Sequence, residues 1–449
     1  MQPSSSIFLD FNFPNATTWF YLSALLAVAL FFQFHRLLSF RNWDLVTLFM
    51  LVPGLLLLQE QYDRAAAAHV KLEPDRLWLG YLWLLAGSFY FFVRCVVDLA
   101  LVRRPALHPN LNRAGLAWLT GALFLGLGGA AVRRPADAEP QVGKGSAGLE
   151  EVQRQAAVLV TKTAGEPPDG RGTRFWVECG LAGALHLAVV VALIVIGARH
   201  FQDAGAGMAA ATLYLLLPYI AFHKTQIHHV WPTALLLWAV VFYRRPTLAG
   251  ALVGAAVGSL FFPVVTLPVW ASFYWKRGAR RFLGAVGLTA GVSLVLTAIL
   301  LWWDGRLAAA AGQTFGQYDW LPWRVPSAES FWTGVHWAYR IPVFIVYAFF
   351  VAITAFWPAP KNLAHLLALL AAVLLGIQFW YADRGGVYVL WYLPILLLVV
   401  FRPNLSDRRP PVPESDDDFV VRTVRVVRRL AGRLAARWRG VPRPMPAGH

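Results

Sequence analysis

Charge is scarce in this chain. Only 14% of its 449 residues are Asp, Glu, Lys or Arg, against 58% hydrophobic, and the mean hydropathy is +0.52. A composition this apolar excludes a water-soluble globule and matches a polytopic membrane protein. Cysteine is scarcer still: Cys95 and Cys179, each inside an apolar segment, indicate neither a disulfide framework nor a cysteine metal site. The first eighteen residues hold no Lys or Arg. The basic region of a cleavable signal peptide is therefore missing, and the first apolar run reads as a retained span. Acidic residues are outnumbered and the net charge is +16. The arginines sit mostly in short loops and a C-terminal tail, where they orient helices and meet anionic lipid, which argues against nucleic acid. Twenty Trp and thirty Phe fit helix packing and aromatic belts at the lipid boundary.

What is present is a succession of apolar runs. A helix needs about 20 apolar residues to cross a bilayer, and such runs lie near 18–39, 43–58, 77–101, 114–132, 175–198, 206–222, 227–243, 281–303, 335–357, 362–379 and 386–401. Between Arg245 and Lys276 one long segment is broken by Pro263 and Pro268. Basic residues at both its ends favour two short helices in a hairpin over a single tilted span. The expected fold class is all-α, a polytopic helical membrane protein of about 11–13 transmembrane helices. Its regions are an N-terminal four-helix membrane region (1–132), a loop with a short amphipathic helix (133–174), a membrane core (175–402) and a basic tail (403–449).

Arg36/Arg41, Arg103/Arg104/Arg113, Arg199, Arg244/Arg245, Lys276/Arg277/Arg280/Arg281, Lys361 and the tail then fall on one side, expected to be the cytoplasm. The N-terminus and the segments 59–76, 133–174, 223–229, 304–334 and 381–385 fall on the other. Within 133–174, residues 149–160 carry helical spacing of apolar positions, consistent with a helix on the membrane surface. In the tail, Ser415-Asp416-Asp417-Asp418 gives a helix start, and Val420, Val424, Val427, Ala431, Leu434 and Trp438 form one stripe among arginines. That pattern is a basic helix for an anionic lipid leaflet, with solvated disorder as the alternative.

Polar residues inside apolar runs are costly and therefore informative. Arg94 and Asp98, four apart, should pair on one helix face. Asp44 and Glu178, near span starts, can reach the interface, and His186 and His365 read as packing histidines. The segment His223-Lys224-Thr225-Gln226-Ile227-His228-His229 is a polar knot between two apolar runs. His223, Lys224, Gln226, His228 and His229 supply several hydrogen-bond donors that suit a phosphate or sugar hydroxyls; a plain loop is the other reading. Three histidines could also hold a transition metal, but the spacing matches no zinc pattern and no carboxylate accompanies them, so no metal is assigned. The loop 304–334 adds Gln313, Gln317, Tyr318, Asp319, Trp320, Trp323, Arg324 and Trp332, with His336 and Arg340 just inside the next span. Gln378 through Tyr388 adds Asp383 and Arg384 on the same face. Aromatic rings with carboxylates and amides suit sugars; the Trp residues fit a lipid-boundary belt equally well.

In order along the chain stand Leu217-Pro218-Tyr219, then Thr225-Gln226-Ile227-His228, then Arg244-Arg245-Pro246-Thr247-Leu248-Ala249-Gly250 through Gly254, then Phe262-Pro263, Lys276-Arg277 and Trp391-Tyr392-Leu393-Pro394. Over roughly residues 175–400 this order resembles integral-membrane glycosyltransferases of the C fold, in particular the bacterial group that uses polyprenyl-phosphate sugars, such as actinobacterial α-mannosyltransferases. Phe262 stands where that family usually has Lys, and Thr225 and His228 stand in place of its Gly and Asn. The resemblance implies transfer of a sugar from a polyprenyl-phosphate donor to a cell-envelope acceptor, on the outer face of a bacterial inner membrane and without a cofactor. It implies a carboxylate as general base: Asp63, in Glu60-Gln61-Tyr62-Asp63-Arg64, with Asp75, Asp169 and Asp319 behind it. Lys224, Arg324 or Arg384 would stabilise the departing polyprenyl phosphate. The competing class is a non-catalytic membrane protein, either a transporter or flippase for a lipid-linked substrate or a scaffold.

Overall fold

A computed structural model describes residues 16–68, 73–101, 109–133, 147–165, 167, 171–260, 262–303, 305, 321–324, 330–382, 386, 388–411 and 429. Among these residues there is no strand, and the protein is an all-α, multi-pass membrane protein. Seven helices are long and apolar enough to cross a bilayer: Phe40–Tyr62, Pro74–Asp98, Arg113–Val132, Gly172–Phe201, Ala279–Trp303, Trp337–Phe356 and Leu363–Trp380. Shorter apolar helices cover Thr18–Phe31, Ala204–Leu216, Ile227–Val241, Pro246–Ser259, Phe262–Phe273 and Val389–Phe401.

In chain order the α-helices are α1 (Ala16–Phe31), α2 (Phe40–Met50), α3 (Val52–Ala68), α4 (Pro74–Asp98), α5 (Arg113–Val132), α6 (Ala147–Ala164), α7 (Gly172–Ile196) and α8 (Ala204–Leu216). There follow α9 (Pro218–Phe222), α10 (Ile227–Val241), α11 (Pro246–Ser259), α12 (Leu267–Phe273), α13 (Ala279–Trp303), α14 (Arg340–Phe356), α15 (Leu363–Trp380) and α16 (Val389–Phe401). The starts are set locally. Ser39, Asn112, Asp203 and Asn362 cap α2, α5, α8 and α15 with their side-chain oxygens, and Pro74 and Pro246 open α4 and α11. The hairpin expected between Arg245 and Lys276 is present as α11 and the Phe262–Phe273 helix, because the prolines deny the chain a continuous ladder.

Two expectations about helix bounds are corrected. The apolar run 206–222 is broken: Leu217 is extended (φ −63°, ψ 133°) ahead of Pro218, as the residue before a proline prefers, so α8 and α9 are separate helices. The segment from Gln59 to Ala68, read as an outer loop, continues helix α3; Glu60, Arg64 and the alanines are good helix formers, and Arg64 pairs with Glu60 one turn away. Helix α6, anticipated within 133–174, packs on α7 and α13, with Thr161 hydrogen-bonded to Thr173 at 2.8 Å. The tail stripe from Val420 to Trp438 lies outside the described residues.

One core runs through the bundle, from Ala27 of α1 to Phe401 of α16, and α15 and α16 are buried almost throughout. The tightest helix pair is α11 on α13. Gly250, Gly254 and Gly258, four apart, form a flat stripe on which α13 lies: a Cβ at Gly254 would stand 2.5 Å from the Val286 carbonyl oxygen, and one at Gly258 2.7 Å from Ser293 Cβ.

The helices alternate so that the basic turns collect at one end. There Asn110 N–H reaches the Leu30 carbonyl (2.8 Å), His200 the Val241 carbonyl (2.8 Å), Leu363 N–H the Arg408 carbonyl (2.7 Å) and Arg277 the Pro410 carbonyl (2.8 Å). Beneath them lies a buried ionic network. Arg94 Nη1 donates to Asp98 Oδ1 (2.9 Å), Arg94 Nε stands 3.2 Å from Asp44 Oδ1, Tyr90 donates to Asp44 (2.9 Å), and Arg402 Nε donates to Asp98 Oδ2 (2.7 Å). The expected Arg94–Asp98 pair is thus real. Asp44, expected at the interface, is instead buried beside Arg94, because two carboxylates and two guanidiniums together neutralise one another where each alone would be costly.

Candidate functional site

The opposite end gathers the polar knot, the α3 terminus and the residues Gly386 and Tyr388 that precede α16. α9 ends at His223, a short turn follows, and α10 begins at Ile227; Gln226 N–H closes on the His223 carbonyl (3.0 Å) and Ile227 N–H on the Thr225 carbonyl (2.9 Å). His186 fixes this turn from below. Its Nε2 is 3.1 Å from the Lys224 carbonyl and must donate to it, so Nδ1 accepts from the Tyr214 hydroxyl at 2.8 Å. The packing histidine of the sequence is therefore the clamp of the knot.

A second clamp comes from α16. Trp391 Nε1 donates to His229 Nδ1 at 2.9 Å, which leaves the His229 proton on Nε2 if the ring is neutral. Trp391 is sandwiched between Phe262, stacked at 3.9 Å and 12°, and Tyr388 at 4.1 Å, and Tyr388 stacks in turn on Tyr381. The Phe262 position thus contributes a buried ring to the column rather than a cation.

His223 differs from its neighbours. Its side chain is buried at 4% exposure, and among the described residues neither ring nitrogen has a hydrogen-bond partner. Burial pushes its pKa down to about 4, so the imidazole is neutral and offers one donor and one acceptor. Lys224 turns its ammonium to the Ala221 carbonyl at 3.2 Å.

Beside the knot, Ser88 donates to Gln378 Oε1 at 3.3 Å, and the buried Gln378 side chain also faces the Tyr392 hydroxyl. Gln378, Tyr81, Leu84, Leu85, Ala382, Gly386 and Tyr388 line a cavity wide enough for a water molecule and too narrow for a sugar ring. Gly386 takes φ +79°, and a Cβ there would meet Leu84 at 2.7 Å and Leu55 at 3.7 Å. The turn therefore sits directly on α3 and α4. Arg340 is buried in the same wall, donates to the Trp380 carbonyl (2.7 Å) and lies over the Tyr381 ring.

The fold thus brings together His223, Lys224, Gln226, His228 and His229 by sequence adjacency and joins them to α16 and α7. Asp63 lies on the last turns of α3, two residues past buried Gln61, and α3 packs against both α4 and α9. Asp75 is exposed in the first turn of α4. Arg324 is exposed, with no hydrogen bond or ion pair to the knot. Asp169, Asp319, Asp383 and Arg384 lie outside the described residues. Among the described residues no group of His, Cys, Asp and Glu is arranged to hold a metal ion. Sequence reasoning missed the roles of Trp391, Tyr388 and Ser88; nothing in one sequence links His229 to a tryptophan 162 positions later. No family model, curated protein or solved structure matches this chain.

Proposed function

We propose that the chain is a membrane glycosyltransferase that moves a sugar from a polyprenyl-phosphate donor to a cell-envelope acceptor, working at the end of the bundle opposite the basic turns. In this reading the basic turns face the cytoplasm of a bacterial inner membrane and the knot faces outward. The observation that carries it is His223. A buried imidazole with both nitrogens unpaired is costly, by about 1–3 kcal/mol for each unmet group, and a hydroxyl, which both donates and accepts, is the simplest partner for a neutral ring. Sugars present such hydroxyls, and the clamps from His186 and Trp391 hold the knot still enough to select their position.

Asp63 is the general base in this proposal because it lies on α3, which packs against α9, the helix that leads into the knot. Asp75, exposed at its helix start, serves as the comparison. The test is sugar transfer in proteoliposomes supplied with polyprenyl-phosphate hexoses and pentoses. Asp63→Asn should lower turnover by roughly 10²–10⁴-fold, Asp75→Asn should leave it near wild type, and His223→Ala should weaken donor or acceptor use with the protein still folded. Absence of transfer with every donor supplied, or full activity in Asp63→Asn, overturns the assignment in favour of a non-catalytic protein.

A further inference from the structure

At the basic end, α7 does not stop as an ordinary helix. Residues Gly197–Phe201 widen into a π turn that ends at Gln202 in the left-handed region (φ 58°), and this turn carries Arg199 and His200. Such insertions often mark functional positions. His200 is buried, bonds the Val241 carbonyl through Nε2 and packs edge-on against Tyr243 at 4.8 Å; the Arg244 guanidinium lies 5.9 Å from the centroid of that ring. The segment after α16 crosses this end as a strap, held by Arg402 on Asp98, by Leu363 N–H on the Arg408 carbonyl and by Arg277 on the Pro410 carbonyl. The strap brings Arg408 within electrostatic reach of His200, together with Arg199 and Arg244.

Three guanidiniums thus lie within electrostatic reach of one buried ring, and among the described residues none of them pairs with a carboxylate. Below them, Leu187 and Val191 of α7 and Ala198 of the π turn form an exposed apolar stripe that leads to Arg199, flanked by Trp238 of α10 and by Phe242 just after it; Trp238 Nε1 donates to the Ala188 carbonyl at 3.2 Å and so fixes the two helices side by side.

We infer that Arg199, Arg244 and Arg408 bind the phosphate of an anionic membrane phospholipid, whose acyl chain lies along the α7–α10 stripe. The charges alone would suit any phosphate. The apolar track running up to them favours a lipid over a free anion, because it offers the tail a continuous surface at the right depth.

The test uses the full chain in nanodiscs of a zwitterionic phospholipid, with phosphatidylglycerol bound to it measured by native mass spectrometry across a titration. Since each near-surface arginine contributes about 1 kcal/mol toward an anionic lipid, replacing all three with Gln should weaken retention of the lipid by roughly 100-fold. A control with Arg36, Lys276 and Arg280 changed to Gln removes the same charge from the same end and should change retention by only a few-fold. The single variants Arg199→Gln and Arg244→Gln, each expected to lose roughly five-fold, keep the test alive if the triple variant does not fold. Equal loss in the two triple variants would mean general surface attraction and overturn the site. Competition by millimolar inorganic phosphate as effective as added phosphatidylglycerol would overturn the lipid assignment.

Discussion

Changing Gly254 to Ala adds a single methyl group where α11 lies directly on α13. The new Cβ would stand 2.5 Å from the Val286 carbonyl oxygen and 2.8 Å from Val286 Cα, and it would also strike the Thr289 hydroxyl. Two of these three obstacles are backbone, and the hydroxyl is itself engaged with the Ala251 and Ala285 carbonyls at 3.0 and 2.8 Å. Relief therefore requires α11 and α13 to separate by about 1 Å, which loosens the whole glycine stripe. Overpacking of this kind costs about 1–3 kcal/mol, while replacing Gly by Ala inside a helix returns up to about 1 kcal/mol. The net expectation is destabilisation by about 1–2 kcal/mol. Gly287, on the other face of α13, has nothing within 4 Å of its ideal Cβ, so Gly287→Ala collects only the helix term and should be neutral or stabilising. Unfolding midpoints of both variants in the same detergent, by heat or by titrated denaturing detergent, give the comparison. Equal shifts of the same sign, or a Gly254→Ala protein as stable as wild type, would refute the close-packed stripe.

The buried ionic network makes an equally directional prediction: Asp98→Asn leaves Arg402 without an ionised partner and Arg94 with Asp44 alone, and should cost about 3–5 kcal/mol, whereas the double change Asp98→Leu with Arg402→Met should recover much of that loss. A single variant unfolding within 1 kcal/mol of wild type, on the order of an exposed pair, would contradict the network. Lys361, outside the spans and buried near Pro358, has its pKa pushed down by desolvation to about 8 from 10.5. Because the unfolded chain holds that proton more tightly, the penalty is fully present below about pH 8 and fades as pH rises toward 10.5. Lys361→Met should therefore be more stable than wild type at pH 7, with the gap closing by pH 10, as read from paired thermal midpoints.

The spans were legible because an apolar run long enough to cross is a cooperative signal, insensitive to the identity of any one residue. The Pro263/Pro268 hairpin was legible for the complementary reason, that a missing N–H is a local fact. Pro218 carries the same local fact, yet the run from Ala206 to Phe222 read as one span because its hydropathy never falls. The continuation of α3 was misread through polarity: Gln59, Glu60 and Arg64 look like loop residues to a membrane scale and are strong helix formers in water. What stayed hidden was long-range. Arg402 reaches Asp98 across 304 positions, and Ser88 reaches Gln378 across 290. Asp44 could be read as interfacial because a lone carboxylate near a span start has that option; the presence of Arg94 removes it.

The two ends of the bundle treat polar groups differently, and the difference decides where function is sought. At the basic end, Asp44, Asp98, Arg94 and Arg402 answer one another inside the protein, which stiffens the junction of α2, α4 and α16 and leaves no charge of that network for a substrate. At the other end the scaffold is just as fixed, through His186 on Lys224 and Trp391 on His229, yet both ring nitrogens of His223 are left buried and, among the described residues, unmet. A fold that satisfies its polar groups in one place and withholds partners in another spends stability at the second place, and unmet groups on a rigid frame are what a ligand can complete. If the two clamps exist to aim those groups, Trp391→Phe, which keeps the ring stack and deletes only the indole donor, should disturb the position of the knot more than the stability of the bundle. A missing N–H···N bond is worth about 1 kcal/mol, whereas a misplacement of about 1 Å can cost about 10²-fold in a positioned reaction.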